Sequence, residues 1–121
     1  MLSTVYTKIE KMRDILFQSW SIETSSKWIS DNPAKGQCGV TALVIHDLFE
    51  GEIMKTKVPE GWHFYNRING KRYDFTASQF LEEITYMDIP SNRKEAFADT
   101  NEKQYDTLKQ KVRIHIKEVI L

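Results

Sequence analysis

Apolar residues at Val5, Ile9, Met12, Leu16 and Trp20, with Ile15 beside them, recur at intervals of three and four. That spacing predicts an amphipathic helix over residues 4–20, capped by Ser3 or Thr4, with Lys8, Glu10, Lys11, Arg13 and Asp14 facing solvent. A polar, broken stretch from Ser21 to Asn32 follows, with Trp28 and Ile29 as candidate anchors to the core. From Cys38 to Phe49 the apolar residues Ala42, Leu43, Ile45, Leu48 and Phe49 cover more than half of a helical circumference. This predicts a helix buried on most sides and stopped in a left-handed conformation at Gly51. The period then shortens to two. Residues 51–58 read as a strand, Pro59–Gly61 as a turn, and residues 62–68 and 71–76 as a hairpin. Asn69-Gly70 closes it as a type I′ turn, whose two central residues both need positive φ. Ser78 to Ile84 returns to a helical pattern, and Met87 to Phe97 reads as loop. Asp99 with Glu102 resembles a capping box before a last helix marked by Tyr105, Leu108 and Val112. The tail from Ile114 to Leu121 suits either an extension of that helix or a short strand, and the helix is favoured.

At 121 residues the chain has room for one domain with a real core, spanning residues 1–121. Its 40% hydrophobic content argues for an ordered globular protein, and no stretch approaches the roughly 20 apolar residues of a membrane span. Seventeen basic residues balance seventeen acidic ones, which disfavours general nucleic-acid binding. A lone cysteine forms no intrachain disulfide, and no signal peptide is visible, so a reducing cytoplasm is the expected compartment. No cofactor is implied.

The hairpin turn fixes a register. Ile68 faces Lys71, Tyr65 faces Asp74 and His63 faces Thr76, so His63 and Asp74 become diagonal neighbours on one face, their Cβ atoms ~6–8 Å apart. The other face carries Phe64, Ile68, Tyr73 and Phe75, with Asn66 as its polar exception. Cys38 opens the central helix, where unpaired N–H groups and a nearby imidazole favour the reactive thiolate. Cys38 is thus the candidate nucleophile, His63 the acid and base, and Asp74 the group that orients the ring. Gln37 is a candidate oxyanion donor together with the Cys38 backbone N–H. Taken singly, a cysteine in an apolar helix is more often a small buried hydrophobe, and a hairpin histidine is often simply satisfied by a carboxylate. Zinc held by Cys38, His63 and Asp74 ranks below catalysis, because no CxxC or HxxxH spacing occurs and His46 lies about 12 Å along the helix from Cys38.

Gly36-Gln37-Cys38 opening a helix, followed by His63 and Asp74 on successive strands, resembles the papain-like superfamily, with an ordering nearest the transglutaminase-type and arylamine N-acetyltransferase-type cores. More narrowly, Asn32-Pro33, Gly36-Gln37-Cys38, His63-Phe64-Tyr65-Asn66, Asp74-Phe75-Thr76 and Gln79-Phe80 together resemble the YunG family of small bacterial proteins, over about Trp28 to Phe80. The broad resemblance implies acyl transfer: hydrolysis, deamidation or transfer from a thioester, on a small peptide, a protein or a thioester. The expected fold is α+β, a nucleophile helix packed on a small antiparallel sheet with flanking N- and C-terminal helices. The rival expectation is a non-catalytic protein-binding module on the same scaffold.

Overall fold

The predicted central helix forms at its predicted bounds, α2 (Cys38–Phe49), and its first eight residues, Cys38 to Ile45, are all buried. In the computed structural model the described residues are 2–119, with side chains over 9–117. Helix α1 (Leu2–Ser19) precedes α2. Its positions Ile9, Met12, Ile15 and Leu16 are buried as the spacing predicts, while Glu10, Lys11, Arg13 and Asp14 are exposed. The helix already covers Ser3 and Thr4, and the capping expected of them, like the packing of Val5, lies outside the described side chains.

Three strands follow α2: β1 (Glu52–Val58), β2 (Gly61–Ile68) and β3 (Lys71–Tyr73). The hairpin register is the predicted one, with Ile68 opposite Lys71 and Asn66 opposite Tyr73, and the turn residues take φ of 52° at Asn69 and 78° at Gly70. β3 stops at Tyr73, short of the expected Thr76, because Asp74 and the residues after it leave the ladder for a turn.

Beyond Thr76 the structure departs from the predicted helix. Only one 3-10 turn, Ala77–Gln79, forms, and the chain then runs irregularly across the sheet. Backbone groups of this segment bond side chains of the sheet instead of one another. The Thr56 hydroxyl donates to the Thr85 carbonyl (2.8 Å), and the Met87 N–H donates to Thr56 Oγ1 (3.0 Å). Such partners replace a helical ladder wherever buried backbone groups must be satisfied.

The predicted 87–97 loop contains a short edge strand, β4 (Ile89–Pro90), and a short helix, α3 (Arg93–Phe97). Pro90 is tolerated because β4 lies at the edge, where a missing N–H costs no ladder bond. Asn92 caps α3 by accepting from the Glu95 N–H (2.9 Å). Helix α4 (Glu102–Val119) is capped by Asn101, which accepts from the Gln104 N–H (2.8 Å), so Asp99 does not perform the capping predicted for it. The tail is helical through Val119, and Ile120 and Leu121 lie outside the described residues.

The fold is α+β: among the described residues, four α-helices and one antiparallel sheet of order β3-β2-β1-β4. Residues alternate between its faces. Phe64, Asn66 and Ile68 face α2, and the Asn66 amide donates to the Ala42 carbonyl there (3.1 Å). His63 and Tyr65 face the irregular 80–88 segment and are buried by it, so β2 is covered on both sides. Helices α1 and α4 pack together, and Ile9, Met12, Leu16, Val44, Leu108 and Val112 join in one cluster. No helix among the described residues is long and apolar enough to cross a membrane.

Candidate active site

The start of α2 is built by the loop before it. Gln37 is fully buried, and its carbonyl accepts the first helical bond from the Thr41 N–H (2.9 Å). Its side chain turns into the protein: Oε1 accepts from the Thr24 hydroxyl (2.9 Å) and Nε2 donates to the Ser21 carbonyl (3.5 Å). The Trp20 indole N–H, bonded to Thr41 Oγ1 (2.9 Å), ties the end of α1 to the same turn. The Gln37 amide is therefore buried against the 21–24 loop and does not line the pocket, which argues against the oxyanion role expected of it.

Cys38 is 8% exposed and packs against Ala42, Leu43, Ile53, Phe64 and Ala96. It also lines a pocket of about 210 Å³ together with His63, Trp62, Phe80, Gln79 and Asp99. The sulfur's closest polar partner is Asp99, whose Oδ2 lies 3.4 Å from Sγ and accepts the Gly39 N–H at 3.1 Å. Burial pushes the thiol pKa well above its ordinary range, and the Asp99 carboxylate pushes it further, against a smaller opposing effect of the Phe64 backbone N–H. The thiolate expected at a helix N-terminus is thus disfavoured in the resting protein. A carboxylate already occupies the place where the helix would stabilise an anion. Replacing Cys38 by alanine deletes one atom from a packed site without leaving a charge behind. Urea unfolding of Cys38→Ala should show a loss of about 1 kcal/mol, and a loss above about 2 kcal/mol would mark the residue as a core-packing element first.

His63 of β2, on the strand face turned to Phe80, lines the same pocket as Cys38 and is 1% exposed. Its Nε2 lies 2.7 Å from Asp74 Oδ2. A carboxylate only accepts, so Nε2 carries a proton, and in the neutral ring the lone pair is on Nδ1. Nδ1 is buried and makes no hydrogen bond. Asp74 is itself held firmly. Its Oδ1 accepts from the Thr76 N–H (3.2 Å) and hydroxyl (3.3 Å), and Oδ2 accepts from the Tyr86 hydroxyl (2.8 Å). Burial, and then the bond to Asp74, raise the Tyr86 pKa, so the phenol stays a donor. Phe80 packs edge-on against the imidazole, with ring centroids 4.8 Å apart. The shortened β3 does not separate the pair, because a diagonal contact needs only the Asp74 side chain to lean back over the sheet.

Cys38 and His63 therefore line one pocket, Asp74 is bonded to His63 without lining it, and Gln37 does not line it. Asp99, Tyr86, Thr76 and Phe80 surround them, and the sequence reading assigns none of the four a role in the site. Asp99 and Glu102 match a capping pattern, which concealed that the Asp99 carboxylate reaches α2. Among the described residues, no group of three or more His, Cys, Asp or Glu side chains is arranged to hold a metal ion.

The family model described as YunG protein matches residues 8–117 of the chain. A Bacillus subtilis (strain 168) protein, described as uncharacterized protein YunG, is 55% identical over 111 residues, covering 92% of this chain and 96% of its own. No solved structure matches the chain.

Proposed function

The chain belongs to the YunG family, and we propose that it is a papain-like cysteine acyl-transfer enzyme, with Cys38 as nucleophile, His63 as base and acid, and Asp74 as the orienting carboxylate. One observation carries this reading. The buried Nε2–Oδ2 bond of 2.7 Å assigns one ring nitrogen to Asp74 and leaves Nδ1 buried and unpartnered, on a residue that lines the same pocket as Cys38. A buried imidazole nitrogen without a partner is costly in a structural role and useful in proton transfer.

The Cys38 S–H proton passes to His63 Nδ1 while a sulfur lone pair forms the S–C bond and the carbonyl π pair moves to oxygen. Collapse of the tetrahedral adduct expels the leaving group, which takes the proton from Nδ1 and leaves an acyl thioester on Cys38. Water or an amine, deprotonated by Nδ1, then attacks the thioester carbon, and the second adduct collapses by breaking the C–S bond, the Cys38 sulfur taking the proton back from Nδ1. The substrate class is an amide, ester or thioester carbonyl, and a reducing compartment such as the cytoplasm suits a lone thiol of this kind.

Intact mass spectrometry after exposure to p-nitrophenyl acetate at pH 7.5 tests the proposal. A single acetyl adduct is expected on wild-type protein, mapped to Cys38 and missing from Cys38→Ser. If no adduct forms on folded wild-type protein, the reading fails and a non-catalytic binding module takes its place.

A further inference from the structure

We propose that the Gly39 backbone N–H is the oxyanion donor of this site, and that Asp99 occupies the oxyanion position in the resting protein as an internal stand-in for the substrate's carbonyl oxygen. This rests on the acyl-transfer reading above. A carbonyl poised for attack needs its oxygen about 2.7–3.1 Å from a fixed donor and its carbon about 3–3.5 Å from the nucleophile. Asp99 Oδ2 meets the donor condition at 3.1 Å from the Gly39 N, while lying 3.4 Å from the Cys38 sulfur. A helix N-terminus provides N–H groups without intrahelical partners, and this one already binds a carboxylate oxygen. The second, independent observation is His63, a side chain 1% exposed with an unpartnered Nδ1, which lines the same pocket.

The packing around Gly39 fits the assignment. A Cβ at that position would sit 2.7 Å from Asp99 Oδ2 and 2.8 Å from both the Ala96 carbonyl oxygen and Asp99 Cβ. Only glycine lets the connector between α3 and α4 come this close. Asp99 nevertheless lies on the exposed side of that connector, between Ala98, also exposed, and Thr100. Packing of its carboxyl against α2 strips water from one side and raises its pKa, although the residue as a whole remains exposed. Rotation about the Asp99 side-chain bonds is enough to free the Gly39 N–H, and Lys27, exposed on the pocket wall, offers a counter-charge outside. Besides burial, the groups that set the thiol's acidity are then Asp99 on the connector, the Phe64 backbone N–H and Asp74 after β3, and Asp99 in turn feels Lys27 and His63. Lys35 and Glu60 also line the pocket. Withdrawal of Asp99 removes the nearest negative charge from the sulfur and vacates the donor in one motion. Substrate entry and thiol activation are thereby coupled.

The rate of iodoacetamide alkylation against pH tests this directly, since Cys38 is the only thiol. The wild-type midpoint should lie above the ordinary thiol value of about 8.5. In Asp99→Asn and Asp99→Ala it should fall by about one pH unit or more, with about tenfold faster alkylation at pH 7. Acylation by p-nitrophenyl acetate should also accelerate in Asp99→Ala, where the Gly39 N–H is bare. A wild-type midpoint at or below about 8.5, or an unchanged midpoint in a variant that folds, overturns the assignment. Alkylation needs no acyl donor, so the two readings fail separately. An acetyl adduct on Cys38 without a shift in midpoint sinks the role of Asp99 alone. A shift in midpoint without any adduct sinks the acyl-transfer reading.

Discussion

In His63→Ala, acetylation of Cys38 by p-nitrophenyl acetate should slow by about 100- to 10,000-fold at pH 7.5. The expectation is large because burial and Asp99 hold the thiol protonated, so attack depends on a partner that takes the proton during the step. Asp74→Asn should be nearly as damaging, by about 100-fold or more. An amide next to Nε2 can donate, which turns the imidazole over to the tautomer with its proton on Nδ1 and leaves no base facing Cys38. Tyr86→Phe removes one of the Asp74 partners without touching the ring, and a loss of about tenfold is expected from a single charge-assisted bond. Imidazole added to His63→Ala should restore part of the rate, whereas a variant that had merely misfolded would gain nothing. Equal acetylation rates in wild type and His63→Ala would end the proposal that His63 is the base.

Legibility in the sequence followed the range of the interaction that places each residue. The bounds of α2 could be read because its apolar positions wrap most of a helix between glycines, and burial of Cys38 to Ile45 satisfies that same pattern. The His63–Asp74 contact could be read because a two-residue Asn-Gly turn fixes the register of everything near it. The 78–84 segment misled because Phe80, Leu81 and Ile84 have helical spacing, yet they serve different surroundings. Phe80 packs on His63, while Leu81 is fully exposed. What this segment does is cover the second face of β2, and hydrogen bonds from Thr56 and to Asp74 hold it there. No local periodicity encodes that. Asp99 was hidden for a related reason, since its partner is 60 residues away in the chain and its local pattern has an adequate rival explanation. Gln37 shows the opposite failure. Adjacency to the nucleophile suggested chemistry, but full burial against Thr24 and Ser21 gives its amide a structural task.

Gly51→Ala should destabilise the fold by about 2–4 kcal/mol, lowering the thermal midpoint by roughly 10 °C for a domain of this size. Two effects combine at this residue. The backbone at Gly51 has φ of 74°, a left-handed conformation that costs an alanine about 1 kcal/mol. An added Cβ would also lie 2.4 Å from the Arg67 carbonyl oxygen and 3.2 Å from the Ile68 Cα, both backbone atoms of β2 that no rotamer change can move. Gly70→Ala isolates the first effect. Its φ of 78° is nearly the same, but nothing lies within 4 Å of the added carbon, so the expected loss is only about 1 kcal/mol. The difference between the two variants in urea unfolding therefore measures how tightly the α2-to-β1 reversal presses on β2. That reversal matters for the site, because α2 carries Cys38 and β2 carries His63, and their separation is set where the two elements are joined through β1. If Gly51→Ala proved no more costly than Gly70→Ala, β2 would have to be free to move relative to α2, and a fixed alignment of sulfur and imidazole would lose its structural basis.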